Sequence, residues 1–156
     1  MTQEIDAIIG TNFLPEPLRT TVNSHLSRLG MSAWLRCTAH EYRLAAAGHC
    51  ELLFYNKLMP WDHAAGWLLH REAGGYSAHF DGTAYRPTHL TGGLICAPDA
   101  ASWQLARDAL LEEAEHRSPA RTPIRVKSGH STRSDFNERE NSHYHKERAA
   151  NVHRGH

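Results

Sequence analysis

Residues 60–75 constrain this chain more than any other segment: Pro-Trp-Asp-His-Ala-Ala-Gly-Trp-Leu-Leu-His-Arg-Glu-Ala-Gly-Gly. Pro60 fixes the entry to a helix, and Asp62 is either its N-cap or an acid of its first turn. Gly74 and Gly75 supply the stop, because glycine adopts the positive φ that ends a helix. A carboxylate at a helix N-terminus complements the helix dipole. It can also hold a hard cation, or lie beside N–H groups that face a phosphate. A plain capped helix is the alternative.

The segments around this helix alternate. Pro17 opens a helix carrying Leu18, Val22, Leu26 and Leu29 on one face, and Gly30 ends it. Residues 1–15 read as a weak strand or extended lead-in, and residues 33–35 as a short strand. Thr38 is the expected N-cap of a helix over residues 39–47, followed by a buried strand over residues 51–55. After the Asp62 helix come an extended run over residues 76–80, a turn at Asp81-Gly82 and a strand over residues 93–97. Pro98-Asp99 starts a last helix whose apolar face is Trp103, Leu105, Ala106, Leu110 and Leu111. Such alternation predicts an α/β domain with a layer of helices on each face of a mixed, mostly parallel sheet.

Charge divides the chain in two. The 17 basic and 17 acidic residues cancel overall, yet residues 117–156 hold 9 Lys/Arg against 4 Asp/Glu. That segment has few large apolar residues, so its burial cannot offset the entropy of ordering. The expected organisation is an α/β domain over residues 1–116 and a disordered basic His/Arg/Ser-rich tail over residues 117–156, with an out-of-frame extension as the alternative origin of that tail. Its His143-x-His145 pair and its arginines point only weakly to a metal or to nucleic acid, because the basic charges are interleaved with acids. Cys37, Cys50 and Cys96 sit in apolar contexts with no zinc spacing, which predicts buried reduced thiols and a cytoplasmic setting. No signal peptide or membrane span is visible. Nor is there a Ser-His-Asp arrangement, a Cys-His arrangement or a phosphate-cradling Gly-rich loop.

The combination Trp-Asp-x-Ala-Ala-Gly, then Glu-Ala-Gly-Gly, resembles the C-terminal signature of the inositol monophosphatase family. The similarity runs from about residue 13 to residue 111. It is densest over residues 38–48 (Thr-Ala-His-Glu-Tyr-Arg-Leu-Ala-Ala-Ala-Gly) and residues 60–75. The resemblance implies the C-terminal half of that sugar-phosphatase fold and Mg²⁺-dependent hydrolysis of an inositol phosphate or related sugar or polyol phosphate. It makes Asp62 a Mg²⁺ ligand and sets Thr38, Tyr55, Trp61 and Asp62 against the substrate. It also implies a homodimer. Family members carry a substrate-contacting Glu seven residues before this Asp, where the present chain has Tyr55.

The family's other ligands come from a Gly-Glu-Glu-like segment and an Asp-Pro-hydrophobic-Asp-Gly-Thr motif, neither of which occurs in this sequence. Phe80-Asp81-Gly82-Thr83 imitates the end of the second motif, but it lacks the first Asp and Pro and reads as a turn. The expectation is therefore a portion of a phosphatase lacking most metal ligands, with no catalytic residue assigned. The alternative is a non-catalytic remnant or dimerising module of the same fold. His63 is expected partly exposed near the site, and His70 on the surface or hydrogen-bonded. Glu41 and Arg43 read as helix-surface charges, with pointing at the cleft as the alternative, and Trp61 as either a pocket wall or core.

Overall fold

A computed structural model describes residues 2–112 and 125–127. Five strands form one sheet: β2 (Asp6–Ile9), β3 (Met31–Ala33), β4 (Leu52–Tyr55), β5 (Tyr76–Ala78) and β6 (Leu94–Ala97), in the order β3-β2-β4-β6-β5. Strand β2 pairs in parallel with β3 and with β4, aligning Ala7 with Leu52 and Ile9 with Phe54. Strand β6 runs antiparallel to both β4 and β5. Four of the five strands therefore run one way and only β6 is reversed, the mixed, mostly parallel sheet expected. A separate pair joins β1 (Thr2–Glu4) to β7 (Arg125–Lys127). The remainder of the predicted tail lies outside the described residues.

Alternation along the central strands builds a core on each face. Ile9, Leu52, Phe54, Ile95 and Ala97 pack with Val22, Trp103, Ala106 and Leu110, which come from helices α1 (Leu18–His25) and α4 (Ala100–Leu111). Ile8, Leu53, Leu94 and Cys96 pack with Tyr42 and Ala45 beneath helices α2 (Thr38–Ala46) and α3 (Pro60–Glu72). Phe54 stacks on Phe80 at 4.6 Å between ring centres. Burying each such side chain stabilises the fold by about 1.5–3 kcal/mol, so the two layers hold the sheet firmly between them.

Several local expectations shift. The lead-in contains β2, a strand paired on both sides, because Ala7, Ile8 and Ile9 are all buried. The strand expected at residues 33–35 ends at Ala33, where pairing with β2 stops. Helix α1 tightens into a 3-10 turn over Leu26–Arg28 and leaves Leu29 extended. Leu105 is exposed, since it follows Trp103 by two positions and so points to the opposite side of α4. Asp99 caps that helix through a 2.8 Å bond from the Ser102 N–H. At the end of α3, Gly74 has φ +87°, but Gly75 serves differently: a Cβ there would collide with the His70 ring. Among the described residues, no helix is long and apolar enough to cross a membrane.

Candidate functional site

In open α/β sheets, ligands bind beyond the carboxyl ends of the strands. Here Gly10 follows β2, Trp34 follows β3, and Tyr55 and Asn56 close β4. All four line a cleft of about 300 Å³ that also takes in the N-termini of α2 and α3. The predicted site residues Thr38, Tyr55, Trp61 and Asp62 come from three separate elements and all line it. Gly10 keeps the entrance open, because a Cβ there would come within 3.0 Å of Trp34 Nε1. The Trp34 ring packs edge-on against Phe13, and the Arg36 guanidinium lies 5.2 Å above it. Arg36 has φ +58°, the left-handed conformation that side chains seldom adopt.

Helix starts differ from the expectation in detail. Thr38 is the first residue of α2 and the N-cap position falls to Cys37, which leaves that thiol exposed rather than buried. Asp62 is a first-turn residue of α3, two positions after Pro60; Met59 is the N-cap and provides no side-chain bond. The Asp62 carboxylate thus complements the positive end of the helix while staying exposed at the cleft. Trp61 is 80% exposed, so the core alternative does not hold; it forms a free wall of the cleft.

Glu41 takes the cleft alternative over the helix-surface one. Far from a surface charge, it is 2% exposed and lines the cleft. Its Oε1 accepts from the Leu35 N–H at 3.2 Å and its Oε2 from the Tyr55 hydroxyl at 3.0 Å. The available signal was its spacing: four residues before Ala45, it lies on the buried row of α2. Arg43 is exposed, as expected, and reaches His40.

His63 is buried at 3% exposure, not partly exposed as expected, and its ring is held at both nitrogens. Nε2 lies 2.9 Å from the Lys57 carbonyl, which only accepts, so this nitrogen carries the proton. Nδ1 is then the acceptor for the Tyr42 hydroxyl at 3.2 Å, and Cys96 Sγ donates in turn to the Tyr42 oxygen. Burial lowers the His63 pKa and raises both tyrosine phenols well above their usual value. The neighbouring Glu41 adds to the rise for Tyr55. His70, also buried, meets the Ser77 hydroxyl at 3.2 Å on the β5 side of α3, away from the cleft.

A resident Mg²⁺ needs several oxygens converging in near-octahedral geometry. Among the described residues no group of three or more His, Cys, Asp or Glu side chains converges. The cleft offers Asp62 and the already engaged Glu41, which do not make a cation cage. Asp81 is no candidate: its Oδ1 accepts from Thr83 N–H and Oγ1 at 2.9 and 2.7 Å, closing its own turn.

Solved structures of inositol monophosphatases share this fold. Inositol monophosphatase-II of Staphylococcus aureus matches with a TM-score of 0.59 and 18% identity, over 69% of this chain and 43% of that one. Structures of the staphylococcal protein with inositol monophosphate or 2′-AMP bound match equally well. The extragenic suppressor protein suhB from Bartonella henselae matches at 0.57 and 22%, over 69% and 42%. A Pyrococcus horikoshii protein with similarities to inositol-1 monophosphatase matches at 0.58 and 20%, over 72% and 44%. The chain thus spans less than half the length of these proteins. No curated protein matches the sequence. The profile of the inositol monophosphatase family matches residues 12–118, and the chain belongs to that family. The family is one of phosphatases that generally depend on metal.

Proposed function

We propose that this chain forms the polyol-side wall of a phosphate monoester site, taking inositol phosphate or a related sugar or polyol phosphate. The observation that carries the reading is the convergence of Thr38, Tyr55, Trp61 and Asp62 on one cleft. Asp62 accepts from a substrate hydroxyl, Trp61 covers one side of the ring, and Arg36 and Lys57, both exposed in the same cleft, attract the phosphate. The family's Mg²⁺-dependent hydrolysis needs carboxylates beyond those in the cleft, with Asp62 contributing one ligand once they are supplied. Alone, the described residues bind and do not turn over. This is the second, non-catalytic reading of the isolated chain: the carboxylates lining the cleft are Asp62 and Glu41, and Glu41 already accepts from Leu35 and Tyr55.

The proposal extends to a domain boundary near residue 116, a cytoplasmic setting and a homodimer. Three free cysteines support the compartment, and the exposed Leu68 and Leu69 on α3 support a covered face. Binding and phosphate release are to be measured on the same purified chain with inositol 1-phosphate and Mg²⁺, for wild type and Asp62→Asn. Wild type is expected to bind without releasing phosphate, and the variant to bind more weakly. Phosphate release abolished by Asp62→Asn would refute the binding-only reading, and absence of binding would refute the site itself.

A further inference from the structure

Glu41 is a buried carboxylate with no cation bonded to it among the described residues; there its two oxygens accept one hydrogen bond each. A carboxylate has about four acceptor positions and no donor, so half its capacity is unspent. Burying an ionisable group this deeply is costly unless its acceptors are satisfied. The side chain lines the cleft, next to a tyrosine hydroxyl whose proton is already directed at it. That hydroxyl oxygen is left able to accept. The cleft thus has two adjoining acceptor groups in its lining, the buried Glu41 and the Tyr55 oxygen, while the cations Arg36 and Lys57 are exposed residues of the same cleft.

Acceptors at the floor call for donors on the ligand. An anionic group would be repelled there, whereas an alcohol satisfies the carboxylate without bringing charge. We infer that Glu41 and Tyr55 form a hydroxyl-reading pair, which selects monophosphates whose remaining substituents are neutral hydroxyls over bisphosphates and over simple alkyl phosphates. The inference rests on the phosphate monoester reading of the cleft. It adds a specificity-determining residue, Glu41, contributed by α2 rather than by the Trp-Asp helix.

The test compares two ligands on the full chain by ligand-observed NMR titration: myo-inositol 1-phosphate, rich in hydroxyls, and methyl phosphate, which has none. Wild type is expected to prefer the inositol ester by about tenfold or more, the size expected of one hydrogen bond to a charged group. In Glu41→Gln that preference should fall several-fold, to the part that Asp62 and Trp61 supply, while methyl phosphate affinity stays within about twofold. Should Glu41→Gln fail to fold, Tyr55→Phe decides, since it removes the partner hydroxyl and must also cut the preference. A wild-type preference near unity, or one undiminished in the folded variant, overturns the pair while leaving the phosphate site standing. Failure of wild type to bind either ester overturns the underlying site reading instead.

Discussion

The Tyr55 hydroxyl at the end of β4 donates a 3.0 Å hydrogen bond to Oε2 of Glu41 on α2, tying a strand end to a helix face fourteen residues earlier. Around it, Tyr42 lies 5.5 Å from Tyr55 and the His63 ring 4.7 Å from Tyr55, centre to centre. The cleft floor is thus a packed aromatic layer with one carboxylate in it.

Gly66 faces the Tyr42 ring from α3, and a Cβ there would collide with it. Tyr42 is completely buried and hydrogen-bonded to His63, so it has nowhere to move. Gly66→Ala is expected to destabilise the fold by about 1–3 kcal/mol, read as a lower urea midpoint. An unchanged midpoint would show that α2 and α3 are packed less closely than described.

Trp61 contributes to the wall and not to the core. Trp61→Ala should leave stability within about 0.5 kcal/mol of wild type while weakening binding of inositol 1-phosphate. A large drop in stability would mean that its ring is buried against something in solution.

His63 has a folded-state pKa below its unfolded value, so the native state holds it neutral. The unfolded chain binds its proton at about pH 6.5, and the stability this residue contributes is present above that pH and lost as pH falls. The urea midpoint should therefore fall between about pH 7.5 and about pH 5.5 more steeply in wild type than in His63→Gln. Glutamine preserves a donor for Lys57 and an acceptor for Tyr42 without titrating. Equal slopes would refute the assignment.

Burial pushes the Cys50 and Cys96 thiols up to about 12, whereas Cys37 is exposed at the start of α2. At about pH 8 only about one buried thiol in ten thousand is thiolate, the reactive form. Iodoacetamide on the native protein, followed by peptide mass spectrometry, should label Cys37 alone. Labelling of Cys96 at a comparable rate would mean that the Tyr42 layer opens readily.

Much of this was legible in the chain. Proline, tryptophan and a paired glycine mark α3 because each acts on its own backbone, and the compact apolar run over residues 51–55 reads as a buried strand, which the structure places at Leu52–Tyr55. Asp81-Gly82 was separable from a metal motif because a lone Asp before Gly closes a turn by itself. What escaped was non-local. Spacing to Ala45 puts Glu41 on the inner row of α2, but a carboxylate there is tolerable only through its distant partners, the Tyr55 hydroxyl and the Leu35 N–H. The displacement of β3 to Met31–Ala33 likewise depends on register with β2, and the exposure of Cys37 on where α2 begins.

The central claim is that Thr38, Tyr55, Trp61 and Asp62 form one ligand site. Its most direct test is an amide chemical-shift titration of the isotope-labelled chain with myo-inositol 1-phosphate, in wild type and Asp62→Asn. The account predicts saturable shifts clustered at these four residues and Glu41, with weaker affinity in the variant. Shifts clustered instead on the α1 and α4 face, or a titration identical in Asp62→Asn, would contradict it.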